Sequence, residues 1–262
     1  MSIAIVFAGL ATGLLLGILG SGGSIITLPA LVYLLDVAPK PAIAMSLGIV
    51  GLTASIATVH HFIKGNVNVP VALVFSIFGA MGTYGGARLG VLMPETLQLG
   101  LFAVIMYLAA YQMLKNAPAV AVPARVQSDG TTSSGNETLS GRRLGHIAGH
   151  GIVVGMLTGM VGVGGGFLIV PSLVLLSNIP MKQAIGTSLA IIAVKSFAGF
   201  AGYAGSIAID YTLMATFVAV AITGGVAGGY LCQYISARLL KKSFAVFLMV
   251  VATYIVFREF LN

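Results

Sequence analysis

Ten apolar runs divide this chain, at about residues 3–19, 24–35, 42–60, 69–92, 95–114, 145–161, 167–177, 184–203, 211–232 and 237–257. A helix crosses the hydrocarbon of a bilayer in about 20 residues. Most of the runs approach that length; 24–35 and 167–177 are too short to span. Lipid cannot hydrogen-bond a backbone, so runs of this kind are restricted to helices. The charge content agrees. Only 7% of residues are charged, against roughly 25% in soluble domains, and the six acids, Asp36, Glu95, Asp129, Glu137, Asp210 and Glu259, all lie in or beside polar breaks. These features exclude an ordinary soluble enzyme and a disordered chain. The single cysteine, Cys232, excludes an internal disulfide, and a Cys-based metal cluster is not expected. The net charge of +7 comes from basic residues scattered over loops rather than a dense patch, so it points to membrane topology and not to nucleic acid. The N-terminus lacks a positive n-region and is not read as a cleaved signal peptide.

Each short run follows a glycine cluster, Gly20-Ser21-Gly22-Gly23-Ser24 in one case and Gly162-Val163-Gly164-Gly165-Gly166 in the other. The two halves match at an ungapped offset of 142. Over 13–47 against 155–189, 15 of 35 positions are identical, including Pro29 with Pro171 and Lys40 with Lys182. Such a duplication is the usual construction of secondary transporters. The expected organisation is an N-terminal transmembrane repeat, 1–115, a flexible cytoplasmic linker, 116–143, and a C-terminal transmembrane repeat, 144–262.

Basic residues favour the cytoplasmic side, which tests how the repeats are related. If each glycine break makes a re-entrant hairpin, Lys64, Lys115, Arg125, Arg142, Arg143, Lys182, Arg238, Lys241 and Lys242 share one side, with Lys40, Arg88 and Arg258 opposite. If the broken pair crosses once, the split is 6 against 6. The expected fold is therefore an all-α polytopic membrane protein of two inverted repeats, each a re-entrant or broken helix pair plus three transmembrane helices. The linker is expected in the cytoplasm and both termini outside.

A helix that restarts at membrane depth presents N–H groups carrying partial positive charge, and glycine lets a ligand approach that backbone closely. Two such starts could meet around an anion near the midplane. The candidate substrate-binding residues are Gly22, Gly23, Ser24, Gly164, Gly165, Gly166, Lys195, Ser46, Thr187 and Ser188. Ser24 could also cap its helix. Lys195 lies mid-span, where a charge is costly and usually functional; Thr53 holds the equivalent position in the first half. Ser46, Thr187 and Ser188 could donate to substrate or bond back to their own helix. His60 and His61 are candidates for a proton relay. Gly9/Gly13/Gly17, Gly82/Gly86/Gly90 and Gly224/Gly228 are read instead as faces for helix contact. Arg88 is read as an interfacial anchor. No catalytic residue, metal ligand or cofactor is indicated. The expected partners are a small anion and the lipid bilayer, with a homo-oligomer compatible with the sequence. A transporter, an anion channel of the same architecture and, less favoured, an intramembrane enzyme remain open on residues alone.

The block from Gly162 through Pro171, followed by Lys182-Gln183-Ala184-Ile185-Gly186-Thr187-Ser188-Leu189, resembles the TauE/SafE sulfite exporter (TSUP) family, as does Gly85-Gly86-Ala87-Arg88-Leu89. The resemblance covers nearly the whole chain outside the linker. It implies an inner-membrane permease for sulfur oxyanions or organosulfonates. Only the resemblance supplies sulfur; the residues supply an anion. The first half departs from the pattern at Ser21, Ser24 and Met45, so two equivalent subsites are not expected.

Overall fold

A computed structural model of the protein describes residues 3–19, 23–115, 141–166, 169, 173, 181–231, 245, 246 and 249–257. The described residues contain helices and no strand. In chain order they are α1 (Ile3–Leu19), α2 (Gly23–Pro29), α3 (Pro39–Ile63), α4 (Val69–Leu92), α5 (Glu95–Lys115), α6 (Gly141–Val161), α7 (Met181–Tyr203) and α8 (Tyr211–Leu231), with 249–257 also helical. Residues Pro39–Ile63, Val69–Leu92, Gln183–Tyr203 and Tyr211–Gly228 are long and apolar enough to cross a membrane. Their outward faces fit that environment: Leu73, Ile77 and Met81 recur every four residues along α4 and are all exposed.

Helix ends follow local chemistry. Pro39 and Pro41 start α3 a turn before the apolar run, because the first turn needs no amide hydrogen from proline. The Asn68 side chain accepts from Val71 N to cap α4, and Asp210 accepts from Thr212 N and Leu213 N to cap α8. Residues 141–143, inside the expected linker, already belong to α6. The rest of that linker and most of 167–177 lie outside the described residues. After Pro29, which has no amide hydrogen to give the preceding turn, the chain widens into a π-helical turn, Ala30–Leu34. From Gly23 to Leu34 this segment covers roughly 18 Å of rise, well short of a bilayer core.

The first glycine break folds the chain back. A Cβ on Gly23 would strike the Thr12 carbonyl and come within 2.6 Å of Leu16 Cβ, so α2 starts beside the later turns of α1 rather than continuing it.

Helix directions follow from which residues meet. On α1 and α8, Gly9 faces Phe217 and Val220 while Gly13 faces Ala221 and Gly225, so the two run the same way. On α4 and α6, Gly82 faces Ile152 and Gly86 faces Met156, again the same way. α4 and α7 also run together, from Gly79 against Lys195 to Gly90 against Tyr203. α3 and α7 oppose each other: Gly48 lies against Phe200, Gly51 against Phe197, and His61 against Gly186. The close contacts recur at an offset of 142 with the helices' roles exchanged. Gly82 faces the Ile152 carbonyl as Gly224 faces that of Leu10. Gly86 faces that of Met156 as Gly228 faces that of Leu14. Gly155 faces that of Gly79 as Gly13 faces that of Ala221. Of the glycines expected to pack, Gly9, Gly13, Gly82, Gly86, Gly90, Gly224 and Gly228 do so here.

Adjacent glycines on α4 separate packing from helix propensity. A Cβ at Gly86 would collide with the Met156 carbonyl, whereas one at Gly85 meets nothing within 4 Å. Gly86→Ala should destabilise the detergent-solubilised protein by about 1–3 kcal/mol. Gly85→Ala should be neutral or stabilise by up to about 1 kcal/mol. Thermal midpoints measured by size-exclusion chromatography check both; equal effects would contradict the α4–α6 contact.

Candidate functional site

Three of the glycines after α6 adopt left-handed backbone, with φ of 78° at Gly162, 50° at Gly164 and 73° at Gly165. This is the region where a side chain is strained, so the glycines are required by conformation as well as space. Gly162 N and Val163 N both donate to Thr158 O, closing α6. Ile169 N donates to Gly165 O, opening the next helical turn. The break thus spans 162–165, and Gly166 N is the first amide that a helix start leaves without an intrahelical acceptor. Residues 161–166 are all buried.

Three helices grip this break. Ser46 on α3 places its hydroxyl on the Gly162 carbonyl and 2.8 Å from that of Ile43. A Cβ on Gly164 would lie 3.0 Å from both Val50 Cγ1 on α3 and Ser196 Oγ on α7. One on Gly165 would run into Thr158 on α6. Ser196 is fully buried, and its hydroxyl has no partner among the described residues.

Beside Ser196 is Lys195. Successive side chains leave a helix roughly 100° apart, so while Ser196 faces the break, the Lys195 stem crosses α4 at Gly79. A Cβ there would come 2.8 Å from Lys195 Cδ. Lys195 is 0% exposed, and its Nζ has no hydrogen-bond partner among the described residues. None of the six carboxylates lies on α3, α4, α6 or α7. Burying an ammonium without a partner costs several kcal/mol, a large share of the 5–15 kcal/mol that typically holds a protein folded. Extending the pairs Gly48–Phe200 and Gly51–Phe197 by one step sets Thr53 level with Lys195 across the α3–α7 interface. Thr53 is buried and spends its hydroxyl on its own helix, at Ile49 O and Val50 O.

The remaining sequence candidates separate from this cluster. Thr187 lies eight residues before Lys195, about 12 Å along the helix, and its hydroxyl accepts from Asn68 N at 2.9 Å. Ser188 donates to Ile185 O. His61 is at the same end, against Gly186; its Nδ1 has no partner among the described residues, and its ring lies edge-on to that of exposed His60, with centroids 6.0 Å apart. Gly23 starts α2, so Ser24 falls inside the first turn rather than before it as a cap. The Ser24 side chain and Gly22 lie outside the described residues. Arg88 is exposed at the end of α4, against Tyr84 and Ser206.

Several residues here do not stand out in the apolar sequence. Ser196, Thr158, Gly79 and Thr12 had one shared signal: each differs in polarity or size from its partner at the offset of 142, which are Ala54, Leu16, Ala221 and Val154. Thr12 is buried beside Gly23 with its hydroxyl unpartnered among the described residues. Gln98 and Tyr203 also escaped notice. Their side chains donate to the carbonyls of Gly90, Gly159 and Met160, tying the end of α6 to α4 and α7.

The family described as sulfite exporter TauE/SafE matches residues 5–255. A probable membrane transporter protein of Xylella fastidiosa (strain Temecula1) is 31% identical over 250 residues, covering 94% of this chain and 92% of its own. The probable membrane transporter protein YdhB of Bacillus subtilis is 25% identical over 231 residues, covering 88% and 90%. The archaeal protein MJ0441 of Methanocaldococcus jannaschii, with the same description, is 23% identical, covering 76% and 71%. No solved structure matches. With its apolar helices, glycine-mediated packing and a family match across nearly its whole length, this chain belongs to the sulfite exporter TauE/SafE family of membrane transporters.

Proposed function

We propose that the protein carries a small sulfur oxyanion or organosulfonate across the inner membrane, using Lys195 as the counter-charge and the glycine breaks as the surrounding backbone. The single observation that carries this reading is the Lys195 amine, fully buried without a partner among the described residues and adjacent to the residue facing the break. A protein rarely keeps an unpaired cation at membrane depth unless something anionic visits it. The family description favours sulfite or a chemical relative. Gly164 and Ser196 offer a close approach and a hydroxyl without a partner among the described residues.

The architecture proposed for this task is two inverted repeats, 1–115 and 144–262, joined by the linker at 116–143. What supports inversion is the direction of equivalent helices. Position 42 on α3 corresponds to 184 on α7, yet the two helices run oppositely; a parallel duplication would align them. The exchanged contacts of α1–α8 and α4–α6 agree. The fold-back at Gly23 supports a re-entrant first break. The nine-to-three division of basic residues supports a cytoplasmic linker with both termini outside. A reporter fused at the C-terminus should be active outside the inner membrane; a cytoplasmic signal would contradict this topology.

Transport is tested with the purified protein in proteoliposomes and labelled sulfite, thiosulfate and methanesulfonate. At least one should enter, and a loaded counter-anion should accelerate its entry, as a carrier requires; flux without such acceleration would indicate a channel. Lys195→Met should weaken anion binding roughly 10- to 100-fold, corresponding to the about 1.5–3 kcal/mol of a charge-assisted hydrogen bond. The same variant should keep or raise the thermal midpoint, because it removes a buried unpaired amine. Wild-type flux through Lys195→Met would remove this residue from the site.

A further inference from the structure

The last turn of α6 ends in two carbonyls that its own helix does not close. Gly162 N and Val163 N both donate to Thr158 O, so the carbonyls of Gly159 and Met160, just before the break, need donors from elsewhere. Tyr203, at the end of α7, donates to them at 3.3 and 3.1 Å. Gln98, in the first turn of α5, donates from Nε2 to Met160 O at 3.0 Å and to Gly90 O, in the last turn of α4, at 2.8 Å. The same nitrogen lies 3.2 Å from the Tyr203 hydroxyl. Both side chains are buried, and a Cβ on Gly90 would strike that hydroxyl. One end each of α4, α5, α6 and α7 therefore converges on a few hydrogen bonds. Gln98 is held by its nitrogen, since its Oε1 has no partner among the described residues.

The offset of 142 pairs Tyr203 with His61, Gly159 and Met160 with Gly17 and Ile18, and Gln98 with Leu240. His61 lies at the opposite end of the bundle, near the start of α7. Like a phenol, a neutral imidazole is a ring with one donor at its edge. Its Nδ1 is buried and without a partner among the described residues. The contact is thus made at one end through Tyr203, and Nδ1 of His61 does not make its counterpart at the other. Two inverted copies of one unit share the same two packings. A contact made at one mouth in one state then has its counterpart at the other mouth in the other state.

We propose that Gln98 and Tyr203 latch one mouth of the site shut, and that His61 makes the reciprocal latch, donating from Nδ1 to the carbonyls of Gly17 and Ile18, when the first one opens. This rests on the carrier reading and the inverted topology above. It adds positioning residues, which hold the helix ends leading into the two breaks and do not touch the anion. The latch made here lies at the Arg88 end of α4, the outer mouth in that topology, so this structure is closed on the outside. Leu240 has no donor to match Gln98, so the outer latch is the stronger and the outward-closed state is the resting one.

The test uses the purified full chain with Cys232→Ser and spin labels on cysteines substituted at Leu97 and Ser206, exposed positions on α5 and just after α7. Double electron–electron resonance reads the separation of these two helix ends. The parent should show one main distance. Tyr203→Phe or Gln98→Leu should raise a longer component roughly 2- to 12-fold, the shift that loss of one hydrogen bond gives a two-state equilibrium. Adding His61→Phe to Tyr203→Phe should bring the longer component back down, because the reciprocal latch is gone. Adding His61→Asn instead, which keeps a donor near the place of Nδ1, should leave it raised. A tie that only holds the fold would not be reversed from the far end of the bundle. The latch is overturned by an unchanged distribution in folded Tyr203→Phe and Gln98→Leu, by a long component that His61→Phe leaves in place, by a fall that His61→Asn reproduces, or by failure of both single variants to fold. Entry of labelled sulfite, thiosulfate and methanesulfonate into proteoliposomes separates this from the reading beneath it. Entry without the distance shifts overturns the latch alone; the distance shifts without entry of any of the three through wild-type protein overturn the anion reading.

Discussion

Close approach of helix backbones at glycine is the constraint on which the rest of this structure depends. In lipid, apolar side chains gain nothing by leaving one apolar surface for another, so helices associate through tight packing and interhelical hydrogen bonds. Here glycines admit a neighbouring backbone at Gly13, Gly82, Gly86, Gly155 and Gly224. The contact of α4 with α6 fixes α4 at the distance where Gly79 can also receive the stem of Lys195 from α7. A side chain at Gly79 would displace that lysine; a side chain at Gly86 would displace α6 and with it the start of the break. Packing and site are consequences of the same small residues.

The proposed site lies where the two halves differ. Their contacts match closely, yet the equivalent of Lys195 is Thr53, that of Ser196 is Ala54, and that of Gly79 is Ala221. The differences form one physical set. A lysine needs room along the facing helix, which glycine grants and alanine would narrow. A hydroxyl beside the lysine offers a second donor. Because Thr53 and Lys195 lie at the same level between oppositely running helices, the odd pair sits where the two halves meet. In the proposed reading, one cation at such a position would serve a single site used by both halves.

Much of the helical layout could be read from the sequence because run length and glycine spacing are local properties. The bounds of α4 and the starts of α5 and α8 match the apolar runs, and Gly9, Gly13, Gly82, Gly86, Gly224 and Gly228 pack as expected. A boundary set by other chemistry is not legible in run length, as at the proline start of α3. The site was legible only as a set of polar residues. The fate of each hydroxyl depends on tertiary partners: Ser46 clamps the Gly162 carbonyl, Thr187 meets the start of α4, and Thr53 turns back on its own helix. Nothing in their spacing distinguishes these outcomes. Ser196 went unnoticed because a serine in an apolar helix is ordinary until its neighbours prove to leave it unpartnered.

On the proposed reading, the Lys195 amine awaits an anion at the second glycine break. The most direct measurement is an anomalous difference map from crystals of the protein grown with selenate, whose selenium marks a sulfate-like oxyanion. A peak is expected within hydrogen-bonding reach of Lys195 Nζ and on the side of Gly164 and Ser196. A peak elsewhere, with Lys195 Nζ paired to an oxygen of the protein itself, would contradict it.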